Sequence, residues 1–367
     1  MRCPVCVGKA AAAFQLPGRI ALIEPHGDGL IHDTFVVHTL NRNGPERYIL
    51  QRINQRVFTN PAALMENIER IVTHIQQRAT RTGRNPLRAI PGLISTKTGS
   101  LLHVAERESW RMQQYVENTE TIDCAPSVEQ AYQIGLTFGR FADDLADIAP
   151  QSLQDVLPGY RDTERYLAAL WQAVSDDQLN RAKDAREEIG FIEARAEQAM
   201  QLQRLQRSGQ LPLRVIHGDT KLNNVLLDTE SGDGVCAIDL DTVMPGLLLH
   251  DIGDCLREAL VGVSKSATVL SQQDLRLVEA VISGFASSQS QPLIDLEWSS
   301  TVAAVRAMAL ELGSRFLCDY LSGDVYFRTI YPEQNLCRAQ QQFRLQQRIE
   351  ASESVLQSRI EQLMKDA

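Results

Sequence analysis

Two aspartates and one asparagine stand between apolar runs in the middle of the chain. Asp219 closely follows the apolar run at 213–216, Asn224 comes five residues later, and Asp239 directly follows a further apolar run. Short apolar runs bounded by turn residues are typical of buried strands, so we expect both carboxylates at strand ends. Charged groups are rarely buried unless an opposite charge or a metal compensates them. The pattern therefore predicts a site that binds a cation.

The spacing of these residues indicates phosphoryl transfer. Hard oxygen ligands, few in number, are what Mg²⁺ prefers when it also binds phosphates. In kinase catalytic loops an aspartate accepts the hydroxyl proton, while an asparagine five residues later and an aspartate in the next loop hold the metal. Asp219, Asn224 and Asp239 fit that order. The competing interpretation, a polar hairpin whose acids cap turns, is disfavoured by the length and order of the pattern.

Three longer motifs contain these residues: HGD at 217–219, IDLD at 238–241 and HDIGD at 250–254. Together with Asn224 they resemble the aminoglycoside phosphotransferase and choline kinase superfamily. Within it, the stretches DTKLNNVLLD, IDLDTVMPG and DIGD resemble the N-acetylhexosamine 1-kinases. The resemblance covers most of residues 20–345. It implies an α+β, protein-kinase-like bilobal fold with a small antiparallel-sheet N-lobe and a larger, mostly helical C-lobe.

The resemblance also implies a role for each matching residue. Asp219 would be the catalytic base, and Asn224 and Asp239 would be the Mg²⁺ ligands. Asp251 and His217 would be structural, with Asp251 bracing the catalytic loop. The acceptor-binding residues that the resemblance implies are His32, Asp33, Asp219, Asp241, Arg315 and Tyr326.

Apolar runs and turn residues over 20–53 predict three antiparallel strands. The first turn holds Gly27 and Gly29, whose backbone amides can approach phosphates because no side chain intervenes. Such a pair is also typical of an ordinary hairpin, but its place ahead of the catalytic loop favours a phosphate-covering role. Arg52 stands where protein kinases have a phosphate-binding lysine, and arginine makes that contact bidentately. The alternative is a surface arginine at a strand end.

A helix is expected at 61–78, because Asn60 and a following proline are typical of a helix start and apolar residues then recur at helical spacing. By analogy with the kinase fold, Glu66 on this helix is predicted to pair with Arg52. A strand-to-helix joint follows near residue 116, and its main chain would bind adenine. The residues predicted at that joint are Tyr115, Val116, Glu117 and Asn118.

Charged and aromatic residues cluster at the end of a long apolar helix near the C-terminus. A sugar site needs planar hydrogen-bonding groups and an aromatic face, which Arg315, Asp319, Asp324 and Tyr326 would supply; the resemblance selects Arg315 and Tyr326. The alternative is a helix C-terminus capped by Gly323. The resemblance favours the sugar site and adds His32 and Asp33, which lie in the turn after the first strand.

Composition restricts the partners of this chain. A net charge of −9 argues against a nucleic-acid partner, because such proteins carry a basic surface. No apolar run approaches the roughly 18 residues of a transmembrane helix, so no membrane partner is expected. The seven scattered cysteines are typical of reduced thiols, which indicates a cytoplasmic protein.

A chain of 367 residues is long enough for two lobes and a large core. Residues 1–18 are expected to form a flexible tail, because Pro4, Gly8 and Lys9 interrupt their apolar run. We assign 19–118 to the N-lobe and 119–367 to the C-lobe, and expect a monomer or a weak homodimer.

These observations lead to one functional hypothesis and two alternatives. The hypothesis is an ATP- and Mg²⁺-dependent kinase that phosphorylates the anomeric C1 hydroxyl of an amino sugar, an N-acetylhexosamine. The first alternative is a kinase of another small alcohol, such as a choline-like compound, an aminoglycoside or a different sugar. The second is a pseudokinase that binds nucleotide without catalysis.

Overall fold

The computed structural model describes residues 4–27, 31–42, 44–123, 126–261, 267–288 and 293–366. The chain divides into two compact units. The first unit comprises Met1–Thr119, Leu153–Pro158 and Leu240–Val243, and the second comprises Glu120–Ser152, Gly159–Asp239 and Met244–Ala367.

The first unit is built on a five-stranded antiparallel sheet. Its strands are β1 (Arg19–Pro25), β2 (Asp33–Asn41), β3 (Gly44–Ile53), β4 (His103–Ala105) and β5 (Glu108–Gln114). They lie in the order β1-β2-β3-β5-β4, so the three strands predicted over 20–53 are adjacent in the sheet. Val37 faces Tyr48 across β2 and β3, and Leu50 faces Met112 across β3 and β5, which places apolar pairs in register on the buried face.

Three helices complete the first unit. They are α1 (Pro4–Ala12), α2 (Pro61–Arg81) and α3 (Pro86–Ala89), and the short strand β6 (Thr119–Glu120) lies where the division between the two units falls. Helix α2 begins as predicted: the Asn60 side chain accepts a hydrogen bond from the Ala63 N–H at 3.2 Å. It continues three residues past the predicted end at 78, to Arg81.

Helix α1 differs from the flexible tail expected for residues 1–18. Val7, Ala10, Ala11 and Phe14 are buried against the sheet, in one cluster with residues of β2, β3 and β5. The spacing of Val7, Ala10 and Ala11 places them on one face of α1, and Phe14 follows the end of the helix. Pro4 and Gly8 are compatible with a helix, because a proline is tolerated in the first turn and Gly8 has open space around it.

The second unit is mostly helical, and helix α12 lies at its centre, packed on α5, α9 and α13. Its strands are short: β7 pairs with β10, and β8 pairs with β9, both antiparallel. Between α5 and β7 the chain forms three short helices, α6 to α8. The elements are α4 (Val128–Asp144), α5 (Thr163–Asp176), α6 (Arg186–Glu193), α7 (Ala196–Ala199), α8 (Gln201–Arg207), β7 (Arg214–Ile216), β8 (Val225–Asp228), β9 (Gly234–Ala237), β10 (Met244–Gly246), α9 (Leu248–Val261), α10 (Gln272–Ala286), α11 (Asp295–Ser299), α12 (Thr301–Leu321), α13 (Gln334–Ala351) and α14 (Glu353–Asp366).

The predicted fold class is confirmed: an antiparallel sheet dominates the N-terminal region and helices dominate the C-terminal region. Within the described ranges, no helix is both long enough and apolar enough to cross a membrane.

Candidate active site

The HGD loop directly follows β7 and is fixed by one buried carboxylate. Asp251, in the first turn of α9, accepts hydrogen bonds from the backbone N–H groups of His217 at 2.7 Å and Gly218 at 2.8 Å. Its own carbonyl accepts from the Thr220 hydroxyl at 2.7 Å. Burial raises the pKa of Asp251 above its ordinary value, and the nearby His217 ring and the two backbone donors offset this only in part. These are the contacts that a bracing acid makes.

The carbonyl side of the same loop is held by a tyrosine and an arginine. The Gly218 carbonyl accepts from the Tyr160 hydroxyl at 2.8 Å and from Arg161 Nη2 at 2.7 Å. Arg161 also donates to Asp254 at 2.6 Å, and Arg257 Nε donates to the other Asp254 oxygen at 2.8 Å. Burial alone would raise the pKa of Asp254, but the two guanidinium charges outweigh it and hold that pKa well below its usual range.

Tyr160 and Arg161 were not among the sequence-predicted residues. They precede α5, more than fifty positions before the loop that they hold, and no local spacing connects the two segments. Only tertiary packing brings the two segments together.

Asp219 and Asn224 are in direct contact. The Asn224 amide nitrogen donates to the Asp219 carbonyl at 2.8 Å and to Asp219 Oδ2 at 3.1 Å. Lys221, a further residue that the sequence analysis did not select, lies with its Nζ 2.8 Å from the same Oδ2. Asp219 Oδ1 accepts no hydrogen bond from any described residue, so one carboxylate oxygen remains available.

The β8–β9 hairpin brings the residue before Asp239 into contact with Asn224. The Ile238 N–H donates to the Asn224 carbonyl at 2.9 Å, and His217 Nε2 lies 2.9 Å from the Ile238 carbonyl oxygen. Asp239 follows with φ of 63°, in the left-handed region that aspartate tolerates better than most residues. Partial burial alone would lower the pKa of Lys221, but the charges of Asp219 and Asp239 raise it. Both carboxylates therefore act on the same ammonium group.

Asn224 and Asp239 fit a magnesium ion whose remaining ligands are supplied by a nucleotide. Asn224 donates through its amide nitrogen, which leaves its Oδ1 as a hard ligand, and Asp239 supplies carboxylate oxygens. Within the described ranges no group of three or more His, Cys, Asp or Glu is arranged to hold a metal by itself. A set of one amide and one carboxylate needs further oxygens, and phosphates would supply them.

In the first unit, Arg52 has a different partner from the one predicted. It donates to Asp33 Oδ2 from Nε at 2.9 Å and lies 3.5 Å from Glu108, whereas Glu66 accepts a hydrogen bond from Gln154. The predicted Arg52–Glu66 pair is therefore wrong. The reason is sheet register: Asp33 lies directly opposite Arg52 across β2 and β3, within easy reach of its side chain.

His32 and Asp241 are bonded to protein groups instead of being open to an acceptor. His32 Nε2 lies 2.5 Å from Asp241 Oδ2, and His32 Nδ1 accepts the Asn54 N–H at 3.1 Å. Nε2 is then the protonated nitrogen that donates to Asp241. Arg111 donates to both Asp241 oxygens. Both His32 ring nitrogens are used in these contacts, and only 3% of Asp241 is exposed, so the acceptor contacts expected of the two residues stay predictions.

Charge compensation explains how Asp241 is tolerated in this interior. Burial alone would raise its pKa, but the Arg111 charge and the His32 hydrogen bond hold that pKa below the ordinary range. A buried carboxylate with such partners is a structural feature.

The glycine turn and the segment predicted to bind adenine also belong to the first unit. Gly27 has φ of 66° with open space around its Cα, and Gly29 lies outside the described residues. The Val116 carbonyl accepts from the Thr119 hydroxyl at 2.8 Å, and the Glu117 carbonyl accepts from Arg88 at 3.3 Å. Each carbonyl retains a second lone pair, so the predicted adenine contacts stay predictions. The two other predicted adenine contacts are Tyr115, whose ring lies 4.0 Å below the Arg47 guanidinium, and Asn118, with φ of 56°.

Arg315, in the second unit, is surrounded by aromatic rings. Its guanidinium carbon lies 4.9 Å from the ring centre of Tyr166, 5.7 Å from Phe327, 5.8 Å from Tyr160 and 6.0 Å from Tyr326. We call these four rings the aromatic box. Arg315 makes no hydrogen bond or ion pair with any described residue, so its N–H donors remain available to a ligand.

The loop that supplies two of these rings is fixed by Asp319 near the end of α12. Its carboxylate accepts the backbone N–H groups of Val325 at 2.9 Å, Tyr326 at 2.8 Å and Phe327 at 2.9 Å. The Asn335 amide donates to it as well, at 2.9 Å. Gly323 ends the helix, as the alternative interpretation expected, with φ of 99°. The helix end is therefore capped, and the same loop also presents Tyr326 and Phe327 to Arg315.

Comparison with known proteins agrees with this architecture. A family model described as "Phosphotransferase enzyme family" matches residues 22–276. The chain is similar to a microcompartment-associated aminopropanol kinase, with 14% identity, coverage of 96% of this chain and 98% of that chain, and a TM-score of 0.66. An amicoumacin kinase solved with AMP-PNP and Ca²⁺ matches with 13% identity, 94% coverage of both chains and a TM-score of 0.65. A choline kinase from Cryptosporidium parvum Iowa II matches with 15% identity, 91% coverage of both chains and a TM-score of 0.56. At these identities the structural likeness shows a shared kinase-like fold.

Proposed function

The chain belongs to the phosphotransferase enzyme family and is a small-molecule kinase; from this premise we propose that it phosphorylates the anomeric C1 hydroxyl of an N-acetylhexosamine, using ATP and Mg²⁺. The observation that carries the proposal is Arg315, a guanidinium with open donors and an aromatic surround. It is linked to the catalytic loop through Tyr160, whose ring belongs to the aromatic box and whose hydroxyl binds the Gly218 carbonyl. The product would be a sugar 1-phosphate.

In this proposal Asp219 accepts the proton of the attacking hydroxyl. Its Oδ2 is occupied by Lys221 and Asn224, so the open Oδ1 is the atom that receives the proton. The bonds from Asp251 and Arg161 to the adjacent loop fix the position of this carboxylate. Positioning of this kind is the main contribution that a protein makes to phosphoryl transfer.

Asn224 Oδ1 and Asp239 would hold Mg²⁺, which when bound offsets negative charge on the phosphates. Lys221 adds positive charge to the same loop, and its side chain is 47% exposed, so its ammonium group is accessible to a phosphate oxygen. Gly27 and the arginine at 52 are proposed to lie on the phosphate side of the nucleotide.

Arg315 and Tyr326 are proposed to contact the sugar. Planar N–H donors match hydroxyl and N-acyl carbonyl oxygens, and an aromatic ring packs against the apolar face of a pyranose. Tyr326 is 54% exposed, so its ring is accessible to a ligand. A fixed guanidinium also disfavours a cationic acceptor through charge repulsion.

A second candidate is a kinase of another small alcohol. It is favoured by the comparisons, since the matching solved proteins are named for aminopropanol, amicoumacin and choline. The catalytic residues would be the same in that case, and only the acceptor contacts would differ. A cytoplasmic location and a monomeric or weakly dimeric state stay predictions.

An acceptor panel with ATP and Mg²⁺ tests the proposal. ADP release would be followed with N-acetylglucosamine, N-acetylgalactosamine, glucose, galactose, choline and an aminoglycoside, and phosphorus NMR would locate the new phosphate. An anomeric phosphate on an N-acetylhexosamine is the expected product. Turnover of choline or the aminoglycoside alone would replace the proposal by the second candidate, and ATP binding without any turnover would favour a pseudokinase.

The role of Asp219 has its own test. Asp219→Asn removes the proton acceptor and should lower kcat by about 10²–10⁴-fold, the usual contribution of a general base. ATP affinity should stay near that of the unmodified protein. Asp233→Asn, at an exposed turn of the β8–β9 hairpin, is the matched control and should leave kcat unchanged. Near-normal turnover by Asp219→Asn would show that another group accepts the proton.

A further inference from the structure

We propose that Arg315 determines acceptor specificity by occupying the aromatic box, which without it would bind an ammonium group. This inference rests on the proposed function, in which the aromatic box lies at the acceptor site. It assigns the exclusion of ammonium alcohols, such as choline and amino alcohols, to one side chain of this chain. The acceptor class that follows is an alcohol with neutral or anionic oxygen groups.

The box has the composition of a cation site. Aromatic faces attract cations that lie within about 6 Å of the ring centre, and several rings together are the usual means of binding quaternary ammonium groups. Here four rings lie between 4.9 and 6.0 Å from the Arg315 guanidinium carbon. Because the side chain makes no ion pair with a described residue, the rings are its principal neighbours. The site is therefore filled by a cation of the protein itself.

The position of the box depends on contacts that do not involve Arg315. Asp319 holds the backbone of 325–327, which carries two of the rings. The Tyr160 hydroxyl is fixed by the Gly218 carbonyl, and the Phe316 ring packs on Phe327 with centres 4.6 Å apart. Removal of the guanidinium should therefore leave the box empty while its four rings keep their positions.

A buried acid adds to the attraction for a cation. Glu311, one turn before Arg315 on α12, is 1% exposed, and its charge acts on Arg315. Its oxygens are bonded to Arg161 and Thr163, so Arg161 compensates part of its charge, and Glu311 acts on Arg315 without contacting it directly. A trimethylammonium group placed in the emptied box would experience the same potential.

The experiment measures ammonium binding directly. Arg315→Ala and Arg315→Met would be titrated with tetramethylammonium chloride at constant ionic strength, and the dissociation constant obtained from the methyl proton signal by saturation-transfer NMR. We expect at least about tenfold tighter binding than in the unmodified protein, the usual size of a desolvated cation–π contribution. Arg315→Lys keeps a cation in the box and should bind no better than the unmodified protein.

Arg328→Ala is the matched control. Arg328 is exposed and directly follows Phe327 of the box, so its removal changes the net charge of the protein by the same amount at a position next to the box. Tighter binding of tetramethylammonium by Arg328→Ala would show that general charge, and not occupancy of the box, excludes the cation. Unchanged binding by both Arg315→Ala and Arg315→Met, with unfolding curves like that of the unmodified protein, would also overturn the inference.

Because this readout needs no turnover, it separates the inference from the proposed function. If the protein does not phosphorylate any N-acetylhexosamine but Arg315→Ala gains tetramethylammonium binding, only the proposed acceptor is wrong. If the protein phosphorylates N-acetylhexosamines but already binds tetramethylammonium as tightly as the variant, the role of Arg315 in exclusion is wrong.

Discussion

Arg161→Met removes the charged group that connects the catalytic loop to the interior of the second unit. Arg161 donates to the Gly218 carbonyl and pairs with Asp254 and Glu311, at 2.6 and 3.3 Å, with 8% of its side chain exposed. Methionine fills a similar length with apolar atoms but offers no N–H donor. Arg161 has φ of 60°, and because both residues carry a Cβ, the backbone strain is the same before and after the change.

The expected cost follows from what each partner retains. Asp254 keeps its bond from Arg257 at 2.8 Å, and the Gly218 carbonyl keeps the Tyr160 hydroxyl. Glu311, whose side chain is 1% exposed, keeps only the Thr163 hydroxyl at 3.2 Å among the described residues and loses its one ion-pair partner. Removing one member of a buried pair typically costs about 3–5 kcal/mol, because the remaining charge is left buried. We expect a loss in this range, a large part of a usual stability of about 5–15 kcal/mol.

Equilibrium urea unfolding, followed by circular dichroism and by tryptophan fluorescence, measures this loss. The control is Arg207→Met, which breaks the pair of Arg207 and Glu164, whose side chains are 60% and 56% exposed. Exposed pairs contribute about 0–1 kcal/mol. The loop should also lose a fixed contact, so kcat should fall while ATP affinity is retained. If Arg161→Met lowers the free energy of unfolding no more than Arg207→Met does, burial of the Arg161 ion pairs does not determine their contribution to stability.

Two further predictions concern stability. Burial lowers the pKa of His250 to about 3, so between that value and its ordinary 6.5 the unfolded chain binds a proton that the folded chain does not. The free energy of unfolding should therefore fall as pH drops below about 6.5, and His250→Gln should reduce that slope by about 1.4 kcal/mol per pH unit, measured by urea unfolding at pH 5 and pH 7. Gly135→Ala would place its Cβ 2.1 Å from the Val281 carbonyl oxygen, where α4 meets α10, and should cost about 1–3 kcal/mol. Gly190→Ala, in a helix with open space, is the control and should stabilise by up to about 1 kcal/mol in thermal or urea unfolding.

The contrary outcomes are distinct. An equal pH slope in His250→Gln and the unmodified protein would show that other groups dominate acid destabilisation. Equal effects of the two alanine substitutions would show that the close approach of α4 and α10 is relaxed at little cost.

Sequence patterns predicted which residues of the HGD loop and the β8–β9 hairpin lie together, because the contacts between them are local. Asp219 and Asn224 are five residues apart, and Asp239 lies across a hairpin whose register fixes it near Asn224. Such proximity follows from strand and turn geometry that residue types encode directly. The family membership follows from the same contiguous motifs.

Patterns were less informative where a partner is chosen by three-dimensional packing. Arg52 pairs with Asp33 across the sheet and not with Glu66 on α2, although the cross-strand partner follows once the register is known. Helix α1 was not predicted because a short helix gains most of its stability from packing, and the apolar face of the sheet on which α1 packs forms only in the folded protein.

The chain's own order of residues therefore determined the fold class, the family and the local contacts of the HGD loop, since each depends on short-range spacing. The tertiary structure alone decided what surrounds that loop. Tyr160 precedes α5, Arg315 lies on α12 and Phe327 follows it, yet their side chains meet around one guanidinium. Which side chains meet is set by the rotation and crossing of packed helices, and a small change in either would aim the same residues at different neighbours.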